Sequence, residues 1–386
     1  MNFGLSEEQK ILRESIRKFA EKEIPPVIDE LDEKEIFSLD LLNKMAEMGL
    51  LGIFVPDAYG GTDMDYLSYI IAVEELARVD ASQAATIAAG NSLGIGPIFY
   101  FGNDKQKKEY LPKLCRGDIL ASFGLTEPGA GSDAGGSSTT AKLVNGKWVI
   151  NGSKIFITNS ASSVSGVCIV QAITGIRPNQ QKELSCILVP QGTKGFEAKE
   201  MHRKMMWRSS NTGELYFDNC EVPEENLLGK KGEGLHYMLK TLDNGRLAIA
   251  AMGLGGAQGA YEMALNYANQ REQFGKPIAA FQAISFKLAD MATEIEAARA
   301  LLYKACLLKD QNLPFQKQAA MAKLYCSEVF GRVVDQAVQI HGGYGLMKDY
   351  QIERFYRDQK LLTIGEGTSE IQRYVISRKI GCSGRG

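Results

Sequence analysis

The chain has 386 residues and a formal net charge of -2, from 44 Lys and Arg against 46 Asp and Glu. It is too long for one small core yet has no low-complexity linker, so two or three domains packed through apolar interfaces are expected. Without a run of Lys or Arg there is no basic face for nucleic acid or an anionic membrane, and the partner is expected to be a small molecule or another protein.

In chain order, Ser6 and Gln9 are spaced as a capping box, so the chain enters a helix almost at once. That leaves no room for a targeting peptide, and a cytoplasmic protein or an already processed organelle-matrix protein is expected. Residues 1–120 read as an all-α domain: Ile11, Leu12, Ile16 and Phe19 recur at helical spacing, and Pro56-Asp57 and Gly60-Gly61 mark turns. Residues 121–230 change to short β-branched and aromatic runs. Asn145-Gly146 and Asn151-Gly152 flank KWVI and KIFIT and predict hairpins in a small β-barrel or sandwich domain. From 231 to 386 helical periodicity returns. Leu235, Met238, Leu242, Ile249 and Met252 form one stripe, and Ile284, Leu288, Met291, Ile295, Ala298 and Leu302 form another, predicting a four-helix bundle. The fold class is thus α+β, in the order helix, sheet, helix.

Cysteines at 115, 168, 186, 220, 306, 326 and 382 include no CxxC pair, so buried reduced thiols are expected rather than disulfides or a zinc cluster, and no metal is expected. No apolar stretch approaches the roughly 20 residues of a membrane span.

One carboxylate stands out. In IGEGTSEIQ, Glu366 lies between Gly365 and Gly367, just before the capping hydroxyls of Thr368 and Ser369. Alone the string reads as a capped helix start with a favourable acid near its N-terminus. Asp243 and Arg246, three apart in TLDNGR, alone read as a helix ion pair, and Phe156 in KIFIT alone reads as a core strand residue.

Five segments in order, FGLTEPGAGSDAGG from Phe123, NGSKIFITN from Asn151, QREQFGKPIAAFQ from Gln270, QIHGGYG from Gln339 and IGEGTSEIQR, resemble the acyl-CoA dehydrogenase family. The resemblance spans nearly the whole chain and is nearest to the short-chain, butyryl-CoA members. It implies dehydrogenation of an acyl-CoA to the trans-2-enoyl-CoA, a homotetramer built as a dimer of dimers, and electrons passed to electron-transferring flavoprotein. No side chain accepts hydride, so such chemistry needs a cofactor. No GxGxxG follows a strand, because the glycine-rich GAGSDAGG lies at the edge of the β-domain, and FAD held in another manner is favoured over nicotinamide.

The resemblance also implies residue roles. Phe123, Leu125 and Thr126 would bond the pyrimidine edge of the flavin, Gly131 and Ser132 its pyrophosphate, and Ser132 the substrate as well. Thr158 would face flavin N5, with Phe156 where relatives commonly carry Trp. Arg271, Phe274, Gln339, Gly342 and Gly343 would complete the adenine-diphosphate end of a neighbouring subunit's cofactor, and Thr368 and Glu370 would also contact it. His341 reads as an ordinary residue rather than a ligand. Glu366 falls at the catalytic base, whose backbone amide would polarise the thioester with a ribityl hydroxyl. Asp243, Arg246, Gly365 and Gly367 fall near the substrate. Some relatives carry the base where this chain has Gly245, which cannot serve.

Two departures matter. Gly365 stands where short- and medium-chain relatives usually have Tyr, which implies room for a branched or cyclic acyl group, unless the loop collapses into that space or the backbone beside Glu366 needs glycine. Met206 and Trp207 stand where relatives commonly have Gly and a smaller residue. Ala88, Ala89 and Gly90 line an acyl floor or simply pack a helix. Rival readings are the same chemistry run as enoyl-CoA reduction, an oxygen-using oxidase, and a non-enzymatic superfamily member that binds nucleic acid; the last lacks a basic C-terminal surface.

Overall fold

A computed structural model describes residues 4–382. Seven helices come first: α1 (Glu7–Glu23), α2 (Pro25–Lys34), α3 (Leu39–Glu47), α4 (Tyr66–Ala77), α5 (Ala81–Ala89), α6 (Gly96–Phe101) and α7 (Asp104–Cys115). The Ser6–Gln9 capping box forms as the sequence predicts, side chain to backbone in both directions. Ile16 is wholly buried, but Ile11 from the same predicted stripe is 64 % exposed, because α1 buries a narrower arc than its apolar residues span. A π-helical turn, Gly90–Ile95, joins α5 to α6.

The middle of the chain forms one mixed sheet: β1 (Leu120–Gly124), β2 (Thr140–Val144), β3 (Lys147–Thr158), β4 (Ser165–Ile176), β5 (Lys182–Pro190), β6 (Phe196–Glu200), β7 (Thr212–Pro223) and β8 (Leu227–Leu228). The order is β6-β7-β3-β2-β4-β5-β8, with β1 parallel to β4. Alternation explains its burial. Along β4 and β5, Cys168, Val170, Ile187 and Val189 enter the sheet's own core, whereas Val167, Ile169, Cys186 and Leu188 face the core shared with the helices. Of the two predicted hairpins only one forms. Asn145-Gly146 turns β2 into β3, with Val144 opposite Lys147. Asn151-Gly152 lies inside β3 instead, where the pairing with β7 slips at a bulge between Ile150 and Gly152.

Five helices follow: α8 (Gly234–Gln270), α9 (Gln282–Asp310), α10 (Gln316–His341), α11 (Ile352–Leu362) and α12 (Ser369–Lys379). In the predicted stripes Met238, Ile249, Met252, Leu288, Met291, Ile295, Ala298 and Leu302 are buried, while Leu235, Leu242 and Ile284 are partly so. Helix α8 also carries the N-terminal helices, because α4 packs directly on its glycines. A Cβ on Gly255 would lie 2.1 Å from the Glu74 carbonyl oxygen, and one on Gly259 2.0 Å from that of Arg78. One continuous core therefore runs from α1 through β1 and β4 to α11. Six cysteines are buried free thiols and Cys382 is exposed. Among the described residues no helix is long and apolar enough to cross a membrane, and no cluster of His, Cys, Asp and Glu is arranged to hold a metal.

Candidate active site

Helix α11 ends at Leu362, and six residues on, the hydroxyl of Thr368 caps α12 by accepting from the Ile371 amide at 3.2 Å. Between them the chain makes a left-handed excursion, with φ of 52° at Glu366 and 92° at Gly367. A residue with a Cβ resists such a conformation by about 1–2 kcal/mol, so something must hold it. Gln372, wholly buried on α12, donates Nε2 to the Glu366 and Gly367 carbonyls at 3.2 and 3.0 Å. Lys323, wholly buried on α10, donates Nζ to the Gly367 carbonyl at 2.8 Å. Gly365 itself has no positive φ; a Cβ there would meet the tip of Leu361 at 3.3 Å.

The excursion turns the Glu366 carboxylate towards α8, where Gly245 leaves it space. Oε2 of Glu366 is buried with no hydrogen-bond partner. Burial raises the carboxyl to about 7, against the opposing pull of Lys323 and Arg246. Lys323 is lowered to about 8, again chiefly by burial. Arg246 is buried and engages Asp243 at 2.5 Å, so the helix ion pair is present beside the carboxylate as well. From α4, the Tyr66 hydroxyl donates to the Asn244 carbonyl at 3.0 Å, next to Gly245. The arrangement is a recessed carboxylate whose basicity burial raises towards neutral, which is what a general base acting at neutral pH requires.

The residues named for the flavin lie on the β-domain. Phe123 and Leu125 are buried, Thr126 and Thr158 partly so, and Gly131 and Ser132 are exposed with open space around Gly131. Phe156 is 63 % exposed at a φ of 62°, so it is not the core strand residue that the sequence suggests. An aromatic face held outward beside Thr158 suits a flat ring system, and the donor set fits a flavin. The loop after Thr126 is fixed by a pair that the sequence does not signal: Glu127 and Lys154, both buried, meet at 2.7 Å. Lys154 also reaches the Leu125 carbonyl, and Glu127 accepts from the Ser138 and Thr139 amides. Burial alone would raise Glu127, but Lys154 and Ser138 outweigh it and bring the carboxyl to about 2.

The adenine-end residues form a separate surface. Arg271 stacks on Tyr344 at 5.6 Å and, with Gly342, Gly343 and Met347, lines a cleft of about 560 Å³. Gln339 is exposed nearby, and Phe274 is 92 % exposed. Along α10 this cleft begins at Ile340, 17 residues beyond Lys323, about 26 Å at helical rise. His341 is buried, bonded to the Ala337 carbonyl and stacked on Tyr267, an ordinary packing residue. Trp207, left without an account by sequence, is buried at a φ of 47° with its amide on Asp358 Oδ1 at 2.8 Å, fastening the β-domain to α11. Thr368 caps α12 and Glu370 is exposed in its first turn. Glu127, Lys154, Lys323 and Gln372 carry no signal in sequence beyond being polar.

Three family models match consecutive stretches: the acyl-CoA dehydrogenase N-terminal domain over residues 6–118, the middle domain over 122–220 and the C-terminal domain over 232–381. The probable acyl-CoA dehydrogenase YngJ of Bacillus subtilis is 48 % identical over 98 % of this chain and 100 % of its own length. Acryloyl-CoA reductase (NADH) of Anaerotignum propionicum is 43 % identical over 98 % of this chain and 96 % of its own. The structure of butyryl-CoA dehydrogenase from Megasphaera elsdenii superposes with a TM-score of 0.95 at 42 % identity, covering 98 % of this chain and all of that one. The chain belongs to the acyl-CoA dehydrogenase family, FAD-dependent oxidoreductases.

Proposed function

We propose that the protein oxidises a short acyl-CoA thioester, straight, branched or cyclic at the acyl group, to its trans-2-enoyl-CoA, with Glu366 as the base. The observation that carries this reading is the Glu366 carboxylate, turned into a recess with Oε2 unpartnered and raised to about 7. Such a group takes the proton from the carbon beside the thioester carbonyl and holds it on a carboxyl oxygen. The Glu366 amide would polarise the thioester oxygen as the proton leaves. Bound FAD supplies the two-electron acceptor for the hydrogen that departs from the β-carbon as hydride. Phe123, Leu125, Thr126, Gly131, Ser132, Phe156 and Thr158 hold that cofactor, with Thr368 and Glu370 nearby. Asp243, Arg246, Ser132, Gly365 and Gly367 border the substrate. Arg271, Gly342 and Gly343 on a separate cleft, with the exposed Phe274 and Gln339, serve a neighbouring copy in a homotetramer. Electrons leave to an electron-transferring flavoprotein.

Similarity to an acryloyl-CoA reductase favours a second reading, the same atoms working in reverse. The test is anaerobic bleaching of the flavin by a panel of acyl-CoAs, with a Glu366→Gln control. Bleaching by short acyl-CoAs in the wild type, lost by at least 10²- to 10⁴-fold in the variant, is expected. A variant that bleaches at the wild-type rate removes Glu366 from the role.

A further inference from the structure

We propose that Lys323 is a positioning residue for the base: it fastens the Gly367 carbonyl, so holding Glu366 in its left-handed backbone turn, without touching the carboxylate. The proposal rests on Glu366 being the base.

Lys323 is wholly buried on α10 and forms no ion pair among the described residues. That is an unusual state for an ammonium group, which is costly to bury without a counter-charge. The other wholly buried lysine among the described residues, Lys154, sits 2.7 Å from a carboxylate. Lys323 instead spends its one observed hydrogen bond on a carbonyl next to the base, at 2.8 Å. The same carbonyl accepts from Gln372 at 3.0 Å. Two buried donors thus converge on the carbonyl of Gly367, the residue after Glu366, and both Glu366 and Gly367 have positive φ. A lysine in contact with the carboxylate would pin it in its charged form and occupy the oxygen that must take the proton. Held one residue away, the cation orients the loop and leaves Oε2 unpartnered.

The groups facing Glu366 are few. Lys323 comes from α10, Arg246 from α8, itself paired with Asp243, and the Tyr66 and Tyr69 hydroxyls from α4; Glu370, on α12, is exposed near Lys323. Arg246 already has its own carboxylate. Lys323 is therefore the uncommitted positive charge next to the base, and its removal is felt in two ways: the turn loses a clasp, and Glu366 gains basicity.

The experiment measures flavin content and the pH profile of kcat/KM in the holoenzyme for Lys323→Met, Lys323→Arg and, in parallel, Glu366→Gln. In Lys323→Met the ascending limb should move up by about one pH unit, with kcat falling about tenfold while KM changes less. Lys323→Arg, which keeps charge and donors, should restore the limb to its wild-type position; a merely structural role would lower activity without moving the limb. Should Lys323→Met not retain flavin, Lys323→Gln, neutral but still a donor, is judged by the same limb. A flavin-loaded neutral variant overturns the proposal if its limb stays at the wild-type pH, and Lys323→Met overturns it if the limb moves while kcat is unchanged, since the clasp then does nothing. Full turnover in Glu366→Gln would instead sink the assignment of the base, and this proposal with it.

Discussion

The backbone of Gly245 and the carboxylate of Glu366 compete for one small volume: a methyl group built on Gly245 would lie 2.0 Å from Oε2 and 2.8 Å from Cδ. Helix and loop come from distant parts of the chain, and each is shaped to the other. Gly245→Ala should therefore displace the base while leaving the flavin site alone. Misplacement by about 1 Å costs on the order of 10²-fold in rate, so kcat should fall by that factor with normal flavin absorbance. Wild-type kcat in Gly245→Ala would show that the carboxylate moves aside at no cost.

Activity should rise with pH through about 7 in the free enzyme, the value to which burial raises Glu366. Stability should run the other way. The folded carboxyl holds its proton to about 7, whereas the unfolded one releases it near 4.5. Between these values the folded state binds more protons, so this group's contribution falls as pH rises across the window. Glu366→Gln removes that loss: its melting temperature should exceed that of the wild type at about pH 8 and match it at about pH 4. Thermal melts at the two pH values decide, and equal differences at both would rule out Glu366 as the source of the pH dependence.

The sequence leaves Gly365 open to two readings, an emptied pocket or a backbone need for glycine. Positive φ falls on Glu366 and Gly367 and not on Gly365, and an added Cβ meets only a flexible leucine tip and ordinary contacts. Gly365→Tyr should accordingly fold, and should lower kcat/KM for branched or cyclic acyl-CoAs far more than for butyryl-CoA. An unchanged ratio between wide and straight substrates would exclude the pocket.

Lys154→Met should release the loop that runs from Thr126 through Ser132. Removing one partner of a buried pair leaves the other charge stranded, at a cost of about 3–5 kcal/mol. Denaturant melts should show a loss of that size, and the variant should purify with less FAD than the wild type. Full flavin occupancy in Lys154→Met would mean that the loop does not depend on the pair.

Patterns that repeat locally are legible in the sequence. The stripe of Leu288, Met291, Ile295, Ala298 and Leu302 fixes which side of α9 is buried, because a helix faces its core every three to four residues. Asn145-Gly146 reads correctly and Asn151-Gly152 does not, since the same dipeptide suits a turn or a bulge and the strand pairing with β7 decides between them. Glu366 is legible only through its surrounding motif. Lys323, Gln372 and the Glu127–Lys154 pair are not, because each acts on groups that any polar side chain would suit equally on paper, and the fold alone selects the partner. Trp207 becomes intelligible only with Asp358 beside it.

That last contact has a wider meaning. Trp207 belongs to the β-domain, Asp358 to the helix that runs straight into the loop of the base, and Arg357 on the same helix pairs with Asp32 of α2 at 2.8 Å. A single rivet thus passes through all three layers eight residues ahead of Glu366. Loosening any one layer must disturb the other two, so heating should release the flavin and silence the base in one transition, and no half-assembled enzyme should persist that keeps its colour but has lost its chemistry.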